Sequence, residues 1–76
     1  MELEQMKKEH EWVTKANMKD SQGLYEEALA YYDKALQIDP DDADALFDKA
    51  DTLQKMGRFK EAETLVEKAI NAYVGN

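Results

Sequence analysis

Residues 23–40 read Gly-Leu-Tyr-Glu-Glu-Ala-Leu-Ala-Tyr-Tyr-Asp-Lys-Ala-Leu-Gln-Ile-Asp-Pro. Apolar and small side chains return in this stretch at spacings of three and four, which is the period of one helix face. Gly23 has no Cβ and is suited to the left-handed conformation that ends a preceding helix. Pro40 cannot continue a helix. The stretch therefore predicts one amphipathic helix with a stop at each side.

The chain repeats itself with a period of 34 residues. Seven identities result, and they fall mainly on small residues, glycines and core-type positions: Lys15–Lys49, Ala16–Ala50, Gly23–Gly57, Glu27–Glu61, Ala28–Ala62, Lys34–Lys68 and Ala35–Ala69. A repeat of this length with helical spacing inside each unit is typical of stacked helical hairpins. The sequence thus predicts four helices in two hairpins.

We expect a single domain with three parts, namely a helical extension over residues 1–8, a first repeat over 9–42 and a second repeat over 43–76. The extension is charged and rich in good helix formers, so it should lengthen the first helix upstream. Asp41 and Asp42 follow the proline turn and are suited to cap the next helix.

The composition excludes several classes of function. The 76 residues carry a net charge of −7, whereas nucleic acids and anionic membranes attract basic surfaces. With no cysteine, the chain has no disulfide, thiolate chemistry or zinc-finger ligand set. It shows neither a signal-peptide pattern nor an apolar run that could cross a bilayer. We therefore expect a cytoplasmic protein that binds neither nucleic acid nor membrane.

Catalytic and metal sites are not expected either. Ser21 and His10 are the only serine and histidine, and they lie roughly 16 Å apart along one helix, too far to share a site. The acidic run over residues 39–44 lacks the Gly and Glu that a calcium loop needs at its sixth and twelfth positions. Helix capping accounts for these aspartates. We predict no enzyme activity, no cofactor and no metal ion.

Each unit resembles a tetratricopeptide repeat, a 34-residue helix-turn-helix with a recurring pattern of large, small, glycine and aromatic residues. The first unit carries Trp12, Ala16, Gly23, Tyr25, Ala28, Tyr32, Ala35 and Pro40. The second carries Leu46, Ala50, Leu53, Gly57, Phe59, Ala62, Val66 and Ala69, and it ends without proline. The resemblance covers residues 9–76 and implies an all-α fold, two antiparallel helix-turn-helix hairpins stacked as a short right-handed α-solenoid.

In this family the first helix of each hairpin lines a concave groove that takes up peptides or helices of partner proteins. The resemblance implies a peptide-binding groove formed by His10, Val13, Thr14, Asn17, Asp44, Phe47, Asp48 and Asp51. Apolar residues beside aspartates predict a basic protein or peptide partner with a hydrophobic anchor. Val13 and Asp48 stand where chaperone-binding members have Lys and Asn, which argues against binding of a C-terminal carboxylate. The alternative is an acidic face that only keeps the chain soluble.

Assembly is the second function that the sequence leaves open. The last helix carries five apolar residues that no later hairpin among the 76 residues can cover: Phe59, Leu65, Val66, Ile70 and Tyr73. Because repeats bury each hairpin against its neighbours, this face should either self-associate, for example into a homodimer, or dock further repeats. In the second case the chain is a fragment of a longer array; an engineered minimal two-repeat protein is a further reading.

Overall fold

A computed structural model describes residues 2–75 as two helical hairpins. The helices are α1 (Leu3–Ser21), α2 (Tyr25–Ile38), α3 (Ala43–Lys55) and α4 (Phe59–Tyr73). Helix α1 packs on α2, α3 packs on α4, and α2 packs on α3 to join the hairpins. The predicted all-α fold of two helical hairpins is confirmed. Helix α1 begins at Leu3.

Each hairpin has one glycine after its first helix, Gly23 after α1 and Gly57 after α3. Gly23 and Gly57 have φ angles of 78° and 80°, in the left-handed region that costs a residue with a Cβ about 1–2 kcal/mol. The N–H of Leu24 donates to the carbonyl of Lys19 at 2.9 Å, and the N–H of Arg58 donates to that of Leu53 at 2.9 Å. These bonds close the helix ends in the same way in both repeats.

The turn between the hairpins is fixed by aspartates. Asp42 caps α3, and its Oδ1 accepts hydrogen bonds from the N–H groups of Asp44 at 3.0 Å and Ala45 at 3.3 Å. Asp39 Oδ1 accepts a bond from the N–H of Asp41 at 3.2 Å. The predicted cap is therefore present at Asp42, while Asp41 lies in the turn before it.

Two clusters of buried side chains form the core. One lies within the first hairpin and comprises Ala16, Ala28 and Tyr32, with Val13 and Tyr31 packed beside it. The other comprises Leu29, Ala50, Leu53 and Ala62, with Met56, Leu65 and Val66 packed beside it. Leu29 belongs to α2, so this second cluster connects the hairpins. Full burial of such a leucine contributes about 1.5–3 kcal/mol.

Polar contacts tie the hairpins together at the edge of this core. Lys49 Nζ lies 2.6 Å from Asp33 Oδ1, joining α3 to α2. Lys55 Nζ lies 2.6 Å from Asp20 Oδ1, joining α3 to α1, and the hydroxyl of Thr52 donates to the same carboxylate. The position of α1 relative to α3 is thus held by hydrogen bonds as well as by α2.

Trp12, which matches a core position of the repeat, is only half-buried. Its ring stacks on Tyr31 with a centroid separation of 5.7 Å. Lys15 Nζ and Lys34 Nζ lie 5.2 Å and 5.1 Å from the ring centroid, within the range of a cation–π contact. The indole therefore packs between an aromatic ring and two ammonium groups at the outer surface of the first hairpin.

Candidate functional site

The eight predicted groove residues lie on α1 and α3, the first helices of the two hairpins. Six of them are exposed and two, Val13 and Asp48, are half-buried. Val13 packs against the core cluster of the first hairpin. The hydroxyl of Thr14 donates to the carbonyl of His10 at 3.0 Å, so it is engaged within its own helix. Phe47 is 39% exposed, which is high for a phenylalanine beside a packed helix interface.

Asn17 and Asp48 meet where α1 approaches α3. The hydroxyl of the buried Tyr32 donates to Asn17 Oδ1, and this bond fixes the orientation of the Asn17 amide. Burial raises the pKa of Tyr32 to about 12, helped by the charge of Asp48, so the hydroxyl remains a donor. Hydrogen bonding from Asn17 favours the charged form of Asp48. The structure therefore joins predicted residues from both helices into one surface.

The charge on this surface is concentrated at the N-terminal half of α3. Burial raises the pKa of Asp48, and the carboxylates of Asp44, Asp51 and Asp42 raise it further against the opposing effect of the Asn17 amide. Within residues 2–75, Asp44 and Asp48 form no ion pair, whereas Asp51 Oδ2 lies 3.1 Å from Lys55 Nζ. A cation placed at Asp44 and Asp48 would relieve this repulsion.

Lys55 lies at the C-terminal end of α3, where it pairs with Asp20 and Asp51. Burial alone would raise the pKa of Asp20, but hydrogen bonds from Lys55 and Thr52 hold it below its usual range. The same bond to Asp20, together with that to Asp51, raises the pKa of Lys55. Asp51 thus has a cation at 3.1 Å one turn away on its own helix. The bond between Lys55 and Asp20 was not indicated by the sequence pattern, because these two residues are 35 positions apart.

Glu9 is a further residue of this surface that the sequence analysis missed. Its Oε2 atom is buried and has no hydrogen-bond partner among the described residues. This burial raises the pKa of Glu9 to about 8, with further contributions from the carboxylates of Asp42, Asp39 and Asp44. The sequence did indicate that Glu9 shares the groove face, because Glu9, Val13 and Asn17 follow one another at spacings of four on α1.

The five apolar residues predicted for an assembly face divide into two groups. Leu65 and Val66 are half-buried and pack against the core cluster that joins the hairpins. Phe59, Ile70 and Tyr73 are 67%, 49% and 82% exposed. The outward side of α4 therefore presents three large apolar side chains to solvent, together with Glu63 and Glu67, which lie on the same helical stripe.

Other groups within residues 2–75 bear on metal binding, catalysis and membrane insertion. No three histidine, aspartate or glutamate side chains lie close enough together there to hold a metal ion. The hydroxyl of Ser21 donates to the carbonyl of Met18 at 2.8 Å, at the end of its own helix. In this part of the chain, every helix is too short or too polar to cross a lipid bilayer.

Comparison with known proteins identifies the family of this chain. Residues 21–76 match the family model described as Tetratricopeptide repeat, whose repeats generally mediate protein–protein interaction as non-catalytic modules. Zinc finger CCCH domain-containing protein 7B of Homo sapiens is 46% identical over 50 residues, which cover 66% of this chain and 5% of that protein. Uncharacterized protein MJ0572 of Methanocaldococcus jannaschii is 37% identical over 59 residues, which cover 78% of this chain and 69% of that protein. The chain belongs to the tetratricopeptide repeat family.

Proposed function

We propose that the chain is a protein-interaction module that binds a basic peptide or helix with a hydrophobic anchor in the groove lined by α1 and α3. The observation that carries this proposal is the pair of carboxylates at Asp44 and Asp48, which form no ion pair within residues 2–75, beside the partly exposed ring of Phe47. A lysine or arginine would lie at the carboxylates, and an apolar side chain would pack on the ring.

The half-burial of Asp48 distinguishes this proposal from an acidic face that serves solubility alone. A residue that only keeps a chain soluble gains nothing from burial, because loss of water disfavours its charged form. Asp48 is nevertheless held between α1 and α3, among other carboxylates. A charge-assisted hydrogen bond from a partner would offset this cost, by about 1.5–3 kcal/mol.

The same charges argue against an acidic ligand. A carboxylate in this groove would face Asp44 and Asp48, and the repulsion between like charges would outweigh contact with Asn17. The groove therefore favours basic partners over the C-terminal carboxylates that chaperone-binding members of the family accept.

The test is a fluorescence-anisotropy titration with two labelled peptides that differ only in charge. Each has a central Leu-Phe pair, flanked by lysines in one peptide and by glutamates in the other. We expect the lysine peptide to bind at least tenfold more tightly, and this preference to shrink as salt is raised from 50 to 500 mM. Equal affinities, or no binding of either peptide below millimolar concentration, would contradict the proposal.

Two variants with the same change in charge locate the site. Asp48→Lys should weaken binding of the lysine peptide about tenfold or more, because it removes the central carboxylate and introduces a repelling charge. Glu67→Lys on the outward side of α4 is the matched control and should leave the affinity within about twofold. If both variants weaken binding equally, the peptide responds to net charge and not to the groove.

Assembly stands as a second candidate function, supported by a different observation. The outward side of α4 exposes Phe59, Ile70 and Tyr73 together, whereas single exposed apolar residues are common and require no explanation. This side of α4 includes none of the eight predicted groove residues, which lie on α1 and α3.

A further inference from the structure

The contact between α2 and α3 shows what this chain uses to stack one hairpin on the next. Leu29 of α2 is 8% exposed and lies in one buried cluster with Ala50 and Leu53 of α3. Beside this cluster, Asp33 of α2 pairs with Lys49 of α3 at 2.6 Å. The interface thus consists of an apolar contact flanked by an ion pair.

The 34-residue register extends this interface to the outer surfaces of the chain. The displacement that carries the first hairpin onto the second would carry the second onto a third position, stacked against α4. At the positions of Leu29 and Asp33, α4 carries Glu63 and Glu67. At the positions of Leu53 and Lys49, α1 carries Lys19 and Lys15. If a second copy placed its α1 against α4, both of these contacts between α2 and α3 would have a counterpart, whereas the Asp20–Lys55 ion pair between α1 and α3 would correspond to Gln54 and Ser21.

In each of the two corresponding pairs, the residue on α4 is acidic and the residue on α1 is basic. The Asp33–Lys49 pair corresponds to Glu67–Lys15, so the charge at each of the two positions keeps its sign. Leu29–Leu53 becomes Glu63–Lys19, so the apolar pair is replaced at both of its positions by residues that attract each other.

We propose that this chain associates head to tail, with the outward side of α4 in one copy docked on the outward side of α1 in a second copy, through Glu67–Lys15 and Glu63–Lys19 pairs. The occupant of the α4 surface is thus a second copy of this chain. The proposal specifies the assembly function given above as the second candidate, and it does not depend on peptide binding in the groove.

The apolar side chains around these charges fit the same arrangement. Phe59 and Ile70 occupy the positions of Tyr25 and Leu36, which are half-buried in α2. On α1, Met18 is 56% exposed, while its counterpart Thr52 in α3 is fully buried. A hollow of about 200 Å³ lies on the outward side of α1, lined by Lys15, Met18, Lys19, Gln22 and Tyr31. It is open to receive an apolar side chain of a docked helix.

The charged groups are available for such a contact. Among residues 2–75, neither Glu63 nor Glu67 forms an ion pair, and Lys15 contacts the Trp12 ring and not a carboxylate. Lys19 lies 3.4 Å from Glu27 and has two further ammonium protons to donate.

Charge also disfavours the simplest alternative, a symmetric dimer through two copies of α4. That arrangement would place Glu63 and Glu67 against the same residues of the other copy, with like charges facing each other. A head-to-tail contact joins two different surfaces instead, so each docked copy leaves a free surface at either end. Association should therefore continue beyond the dimer as concentration rises.

Sedimentation equilibrium and light scattering of the purified chain, from about 10 µM to 2 mM, test this proposal. We expect the average mass to rise with concentration beyond that of a dimer. Glu67→Lys and Lys15→Glu should each weaken association about three- to tenfold. Asp48→Lys and Lys34→Glu are the matched controls. The first has the charge change of Glu67→Lys, and the second removes the other ammonium group over Trp12. Both controls should associate like the unmodified chain or, for Asp48→Lys, somewhat more strongly.

Mixing the two interface variants provides the decisive readout. In an equimolar mixture, the lysine introduced by Glu67→Lys can face the glutamate introduced by Lys15→Glu. The unmodified surfaces of the two variants can still pair as well, so association should return towards its original strength. This rescue also requires both variants to be folded, which circular dichroism checks independently.

Three results would overturn the proposal. The first is a constant monomer mass over the whole concentration range. The second is loss of association in Glu67→Lys but not in Lys15→Glu, which is the pattern of a symmetric contact through α4. The third is loss of association in Asp48→Lys, which would place the contact in the groove. Peptide binding by Glu67→Lys would meanwhile remain intact, so failure of one proposal is distinguishable from failure of the other.

Discussion

The two hairpins have the same backbone plan, yet their surfaces differ. The buried alanines recur in both, at Ala16 and Ala50 and at Ala28 and Ala62, because only small side chains allow these helices to approach. At other positions of the same register, the exposed Thr14 is matched by the half-buried Asp48, and the buried Leu29 is matched by the exposed Glu63. The repeat thus restricts the residues between helices and leaves the outer ones free, and the two proposed binding surfaces lie where the hairpins differ.

Substitution of Leu29 should have the largest effect on stability. Leu29→Ala removes side-chain packing from the cluster that joins the hairpins, and we expect it to lower the free energy of unfolding by about 2–4 kcal/mol. Glu63→Ala changes the equivalent but exposed position of α4 and should alter it by less than about 0.5 kcal/mol. Urea denaturation followed by circular dichroism measures both. Similar losses would mean that the two surfaces are packed alike.

The turn glycines should give an intermediate effect that is equal in the two hairpins. Gly23→Ala and Gly57→Ala each force a Cβ into the left-handed region, although nothing lies within 4 Å of either added carbon. Backbone conformation is therefore the whole cost, about 1–2 kcal/mol in each case. The same denaturation experiment applies, and a difference above about 1 kcal/mol between the two variants would show that the turns are not equivalent.

Titration of Glu9 should have the smallest effect on the free energy of unfolding. The effect is specific to the first hairpin, because the equivalent residue of the second hairpin is Ala43. With a pKa of about 8, folded Glu9 holds a proton that the unfolded chain has released above its ordinary value of 4.5. The contribution of Glu9 to the free energy of unfolding is then fully present below pH 4.5 and is lost as the pH rises through 8. Because solvent screens the half-buried carboxyl, we expect a loss of about 1 kcal/mol, less than the full shift implies.

Urea midpoints at pH 5.5 and pH 9 measure this loss. Glu9→Gln should reduce the difference between the two midpoints, whereas Glu11→Gln, an exposed neighbour on α1, should preserve it. A midpoint that rises between these pH values in the unmodified chain, or an unchanged difference in Glu9→Gln, would contradict the assignment.

Local signals in the sequence were sufficient to predict the fold. Gly23, Gly57 and Pro40 mark the helix ends, and the 34-residue register relates the hairpins before any contact is known. The Asp42 cap was similarly accessible, since a cap depends on residues two and three positions along the chain.

The site was harder to predict because its electrostatics depend on contacts between distant residues. Asp51 is paired with Lys55 one turn away, which the sequence shows, but the bond from Lys55 to Asp20 of α1 appears only in three dimensions. Glu9 was missed for a similar reason. Its spacing placed it on the groove side, while its neighbours at Asp39 and Asp42 come from the turn between hairpins.

The packing of Trp12 gives the chain an internal optical reporter. It is the sole tryptophan, and it lies against Tyr31 and under Lys15 and Lys34 on the first hairpin. Its emission therefore reads the environment of one end of the solenoid and is insensitive to fraying of α4 at the other end. Since Lys15 contacts this ring, any ligand or second copy that draws the ammonium group away should change the quantum yield. Fluorescence would follow docking at α1 without a label.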